Sequence, residues 1–197
     1  MGFYLPTTPT TVEAETIMFL DVNPSVEITL DEDNKVLNVL ALNDDAGEVL
    51  KGLQLKDVEL NTALNAIVGS MYIHGYLTSE ANSILVSIDT KHDENMNGML
   101  EYVTDKINKV FEKTDLECSI IAQGVDVNND LKNRAKEQGV SVGKMHLIDK
   151  LKQNEWFVNY DIEDLTSMQI KDLNHIYSSF DKDEHNSDVT SGNVSGY

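Results

Sequence analysis

One dipeptide in this chain is equipped to react with itself. Asn23-Pro24 lies within Phe19-Leu20-Asp21-Val22-Asn23-Pro24-Ser25-Val26-Glu27-Ile28, between two strand-like runs. An asparagine side-chain nitrogen can attack its own main-chain carbonyl, close a five-membered succinimide and expel the next residue. Proline suits the leaving side, because its amide carries no N–H and its ring restricts both itself and the residue before it. A tight bend would hold the nucleophile close, and proximity can supply about 7–11 kcal/mol of a barrier in the best intramolecular cases. Strain in such a bend would add about 1–3 kcal/mol. Other groups must polarise the carbonyl and protonate the leaving nitrogen. Asp21 and Ser25 are near in sequence, while Asn43, Asp44 and Asp45 end the third strand-like run, and the strand order would bring them close. Sequence alone does not rank these helpers. The plainer alternative is a simple bend, where a proline that cannot donate to a ladder belongs.

The elements around this dipeptide follow from periodicity. Residues 17–22 are a continuous apolar run, and Val26-Glu27-Ile28-Thr29-Leu30 alternates with period two, as a half-buried strand does. The turn at 31–35 and the run 36–42 complete a hairpin. A short helical turn is expected over 46–51, and a helix N-capped by Asp57 and running to about Gly75. Residues 83–88, about 93–113 and 119–122 read as strand, long helix and strand, a βαβ unit whose crossover should be right-handed. Helices are expected at about 129–138, 144–152 and 162–180, with Trp156, Phe157 and Tyr160 anchoring the last one. The fold class is α+β: a mixed sheet of about five strands, starting with a β-hairpin, with one βαβ unit and several packed helices. Pro6, Pro9 and five threonines between positions 7 and 16 make residues 1–16 an extended linker. The folded domain is 17–180, and the polar stretch 181–197 is expected to be disordered.

Composition removes several classes. With 34 acidic and 15 basic side chains the net charge is −19, which opposes binding to nucleic acid or anionic lipid. Cys118 is the single cysteine, so the chain can form no internal disulfide and no Cys-rich zinc site; it reads as a small apolar residue. The sequence holds no apolar run long enough to span a membrane and no signal peptide at its start. The phosphate-loop patterns, HExxH and GxSxG are absent, and His74, His92, His146, His175 and His185 stand apart. Asp126, Asn128, Asp130 and Glu137 fall at calcium-loop spacing, but Leu131 occupies the position that needs glycine. No cofactor and no metal are expected. Adjacent carboxylates such as Asp44-Asp45 are easy to find among so many acids, so a glycosidase pair gains little support.

The stretch FLDVNPSVEITLDEDNKVLNVLALNDDAGEVL resembles the start of the extracytoplasmic domain of RsgI-type anti-sigma factors of Gram-positive bacteria. An apolar strand, D-V-N-P-S-V-E, an acidic turn, a second strand with A-L-N-D-D and a helix stand in that order. GVSVGKMHLIDKL (139–151) and LTSMQIKDLNHIY (165–177) are similar to later family segments. The resemblance implies a domain that cuts itself at Asn23–Pro24, its own N-terminal strand (17–23) then staying bound without a covalent tie. It implies a parent protein on the extracytoplasmic face of the membrane, anchored by a transmembrane helix not present in this chain. A cytoplasmic domain, also not present, would hold a sigma factor. Site-1 and site-2 type proteases would release that factor by regulated intramembrane proteolysis, and extracellular polysaccharide would be sensed through modules outside this chain. Beside this single-turnover reading stand two others: a passive extracellular binding or spacer domain with an intact bond, and a secreted hydrolase using scattered carboxylates.

Overall fold

The computed structural model of the protein describes residues 14–78, 82–91, 96–112, 114, 116–176 and 178. The expected tail at 181–197 and most of the expected linker lie outside these residues. Thr16, assigned to the linker from sequence, opens the first strand.

Five strands form one mixed sheet: β1 (Thr16–Asp21), β2 (Ser25–Leu30), β3 (Val36–Ala41), β4 (Asn82–Thr90) and β5 (Cys118–Gly124). Their spatial order is β3-β2-β1-β4-β5. β1 is thus the middle strand, paired antiparallel to β2 from Thr16↔Leu30 to Asp21↔Ser25 and to β4 from Thr16↔Thr90 to Asp21↔Leu85. β2 pairs antiparallel with β3, and β4 runs parallel to β5. The fold class expected from sequence is the one observed.

Helices cover both faces. On one side α1 (Asp44–Leu50), α2 (Leu60–Ile73) and α3 (Met96–Phe111) pack on Met18, Leu20, Val26, Ile28, Ile84 and Val86. On the other, α4 (Asn129–Glu137), α5 (Val142–Lys152), a 3-10 turn (Glu155–Phe157) and α6 (Ile162–Ser167) enclose a second core around Leu85, Leu147, Phe157 and Leu165. β4 is buried over its first seven residues, as a strand covered on both faces must be. In β1 Met18, Phe19 and Leu20 are buried and Ile17 is half-buried.

Two helix boundaries differ from the periodicity. α2 starts at Leu60, not after Asp57, because residues 57–59 are used in pairing: Asp57 N–H donates to the Val36 carbonyl, Val36 N–H donates to Val58, and Lys35 bridges Glu59. Asp57 itself is left-handed (φ 62°), outside a cap geometry. The helix expected over 162–180 is interrupted at Met168, which is extended (ψ 147°), before helix resumes at 170–176. Lys144 Nζ accounts for the break by taking the Thr166 and Met168 carbonyls at 2.7 and 2.6 Å. Of the aromatic trio, Phe157 is buried and stacks on Tyr160, which is 41% exposed; the Trp156 side chain lies outside the described residues.

Candidate functional site

Asn23 and Pro24 sit in the connection between β1 and β2. Asp21 pairs with Ser25, leaving Val22, Asn23 and Pro24 to turn the chain, and Val22 N–H donates to the Pro24 carbonyl at 3.0 Å. The proline therefore occupies the one stretch of this hairpin where no ladder donor is required. No peptide among the described residues is cis, so Asn23–Pro24 is trans. Among the described residues the left-handed non-glycine ones are Asn34 and Asp57, both remote from this turn in sequence.

The β1-β2-β3 meander brings the end of β3 beside the end of β1. Asn43 follows β3 and caps α1, its Oδ1 accepting from Ala46 N at 3.0 Å. The same oxygen accepts from Ser25 N at 3.2 Å. Its Nδ2 donates to the Asn23 carbonyl oxygen at 2.7 Å. Asp45 is the second residue of α1, and its Oδ2 accepts from Asn23 Nδ2 at 2.5 Å. Its other oxygen, Oδ1, accepts from Tyr76 Oη at 2.9 Å. The would-be nucleophile and the would-be electrophile of Asn23 are thus each held by a side chain from the start of one helix. A cavity of about 240 Å³ opens beside Asn23, lined by Val22, Tyr76, Thr78, Asn82, Ser83, Gln169 and Lys171 among others.

Of the five helpers expected from sequence, Asn43 and Asp45 contact Asn23 directly. Ser25 is joined to the site through its backbone N–H. Asp44 heads α1, and among the described residues no hydrogen bond links it to Asn23. Asp21 faces α5, where its Oδ2 accepts from Ser141 Oγ at 2.7 Å and lies against Gly143. It is buried, and burial pushes its carboxyl up to about 6, only partly opposed by the Ser25 and Ser141 hydroxyls and the Lys144 charge. Gln123 Nε2 donates to Ser87 Oγ and to the Gly143 carbonyl, both at 2.9 Å, next to the same position. Asp21 Oδ1 and Gln123 Oε1 are buried with no hydrogen-bond partner among the described residues.

A family model described as Anti-sigma factor RsgI-like central domain matches residues 15–150. The chain belongs to the RsgI-like anti-sigma factor family. Among curated relatives, it is similar to Anti-sigma-I factor RsgI9 of Acetivibrio thermocellus, 31% identical over 159 residues, covering 78% of this chain and 22% of that protein. Anti-sigma-I factor RsgI7 of the same organism is 30% identical over 135 residues, 68% of this chain and 24% of the relative. Anti-sigma-I factor RsgI of Bacillus subtilis is 26% identical over 132 residues, 66% of this chain and 34% of the relative. The chain spans between a fifth and about a third of the length of these three relatives.

The RsgI-like match contains the whole sheet and both sides of the Asn23 turn, while the 165–177 segment lies beyond it. Sequence reasoning missed Tyr76, Ser141 and Gly143. Tyr76 had one signal: Gly75 directly after a helix marks a left-handed cap, whose following residue is placed firmly. Ser141 caps α5, its Oγ accepting from Lys144 N at 2.9 Å; a serine before a helix is a local signal, but its reach to Asp21 is not. Two of the four residues at calcium-loop spacing have structural uses: Asn128 Oδ1 caps α4 and Asp130 pairs with Arg134.

Proposed function

We propose that this domain cuts its own backbone between Asn23 and Pro24 and keeps the two pieces assembled afterwards. In the step, Asn23 Nδ2 attacks the Asn23 carbonyl carbon. The new N–C bond closes a five-membered imide, the C–N bond to Pro24 breaks, and one Nδ2 proton ends on the proline nitrogen. Asp45 is placed to take that proton and pass it on. Asn43 Nδ2 is placed to meet negative charge as it develops on the carbonyl oxygen. The observation that carries this reading is that one pair of side chains, two residues apart, holds both the attacking nitrogen and the attacked carbonyl of Asn23.

The topology supports retention after cleavage, because the N-terminal piece would still own the middle strand of the sheet. In the parent protein, the domain would stand on the extracytoplasmic face of the membrane, joined through its N-terminal side to a membrane helix and a sigma-factor-binding domain. Separation of the pieces would then open the way to intramembrane proteolysis and sigma release. Membership of an anti-sigma factor family supports a sigma factor as the eventual partner.

The test is intact mass under denaturing conditions, for wild type beside Asn23→Ala. The expected result is two wild-type species whose masses sum to that of the whole chain, and one species for the variant. A sum larger by one water from the earliest time point would replace the imide route with hydrolysis, whereas a water gained only later is the opening of the imide ring. A single full-length mass in both samples would overturn cleavage and leave a spacer or binding domain.

A further inference from the structure

We propose that Tyr76 is a positioning residue for the cleavage step, its phenol holding Asp45 Oδ1 so that Oδ2 is presented to Asn23 Nδ2. The inference rests on Asn23–Pro24 being the bond that is cut. A carboxylate on an exposed helix start rotates about its side-chain bonds, and a base that rotates is not in place when the proton must leave. Two contacts at 2.9 and 2.5 Å, one on each oxygen, remove that freedom.

The phenol is itself firmly mounted. α2 ends in a closed cap: Gly75 N–H donates to the Tyr72 carbonyl at 3.0 Å and Tyr76 N–H to the Met71 carbonyl at 2.9 Å, with Gly75 left-handed at φ 78°. This is the two-bond arrangement that fixes the second residue past a helix end. α2 is tied to α1 by Ser70 Oγ, which donates to the Val49 carbonyl at 2.7 Å. Asp45 thus stands on α1 and Tyr76 on the closed cap of α2, two helices bonded to each other, and the phenol reaches the carboxylate from a fixed base. The hydrogen bond to Asp45 pushes the Tyr76 hydroxyl above its ordinary value, with desolvation and the Asp45 and Glu48 charges acting the same way, so it is a donor at neutral pH. Tyr76 also lines the cavity beside Asn23.

The experiment is a cleavage time course on freshly synthesised full chain from pulse-labelled cell-free translation. Wild type is compared with Tyr76→Phe, which keeps the ring and removes only the donor, and with Gly75→Ala, which strains the cap without touching the phenol. Stability of each change is measured separately in an Asn23→Ala background. The expected result is cleavage slowed roughly tenfold to a hundredfold by both changes. Tyr76→Phe combined with Asp45→Asn should cleave no more slowly than Asp45→Asn alone, because a phenol that acts only through Asp45 has nothing left to hold. Tyr76→Phe cleaving at the wild-type rate, or slowing Asp45→Asn as much as it slows wild type, would overturn the role of Tyr76 and leave self-cleavage standing. A wild type that stays whole would remove both. If Tyr76→Phe loses stability in the Asn23→Ala background, Gly75→Ala decides: a normal rate there overturns the inference.

Discussion

Asn43 reaches Asn23 with one end of its amide and holds helix α1 with the other. Its Nδ2 stands 2.7 Å from the Asn23 carbonyl oxygen while its Oδ1 accepts from Ala46 N at 3.0 Å. The two roles can be separated. Asn43→Asp keeps a capping oxygen but turns an acceptor toward the carbonyl. Cleavage should fall by about 10²–10³-fold, the usual effect of losing one oxyanion donor. Stability, read by denaturant melt in the Asn23→Ala background, should change little. Asn43→Ala should lose cleavage equally and about 1 kcal/mol of stability besides.

Gly143 has no room for a side chain. A Cβ there would lie 2.5 Å from Ser87 Oγ, 2.8 Å from Ser87 Cβ and 3.1 Å from Asp21 Oδ2. These are atoms of short, buried side chains, so α5 must lift from the sheet. Gly143→Ala should cost about 1–3 kcal/mol in a denaturant melt. Adding Ser87→Gly removes the two closest contacts and should recover part of that loss.

Asp21 should give the fold a pH dependence opposite to that of a paired carboxylate. Its folded carboxyl lies at about 6 against 3.8 for the free group. Between those values the folded state holds the proton and the unfolded chain does not. The stabilisation is therefore complete below about pH 4 and lost as pH rises through 6, about 3 kcal/mol for a shift of this size. Asp21→Asn cannot titrate. The difference in denaturant midpoint between wild type and Asp21→Asn, followed from pH 4 to 7, should change in favour of the variant as pH rises. A constant difference would show that the Asp21 carboxyl titrates normally.

Retention of the N-terminal piece should depend on which β1 side chain is trimmed. Leu20 is fully buried and Ile17 half-buried. Leu20→Ala should cost about 2–5 kcal/mol, the range for large-to-alanine changes in a core, and Ile17→Ala distinctly less. In a cleaved sample, size exclusion after dilution should find the 1–23 fragment leaving the Leu20→Ala body first. Equal retention in both would mean that backbone pairing, not packing, holds the strand.

The local elements were legible because their signals are local. Val26, Ile28 and Leu30 alternate with less buried Glu27 and Thr29, and β2 lies where that alternation puts it. The meander made Asn43 and Asp45 reasonable neighbours of Asn23, since β2 starts beside both the end of β1 and the end of β3. What depended on distant residues was hidden. The break at Met168 is set by Lys144, 24 positions earlier. Asp21 looked like a helper by proximity along the chain, yet alternation along β1 turns it toward Ser141, 120 positions away. Tyr76 needed the packing of α2 on α1 before it could be seen beside Asp45.

A middle strand leaves differently from an edge strand. If β1 departs, β2 and β4 each face an empty slot six residues long, with unpaired N–H and C=O groups on both walls and Ile28, Leu85 and Val86 losing a neighbour on the sheet. Such a slot is a template for any extended segment with the right alternation. The body would either close β2 onto β4, a move that rebuilds both cores, or accept a foreign strand. Loss of the N-terminal piece would thus create a new receptor for peptide as well as free the piece itself.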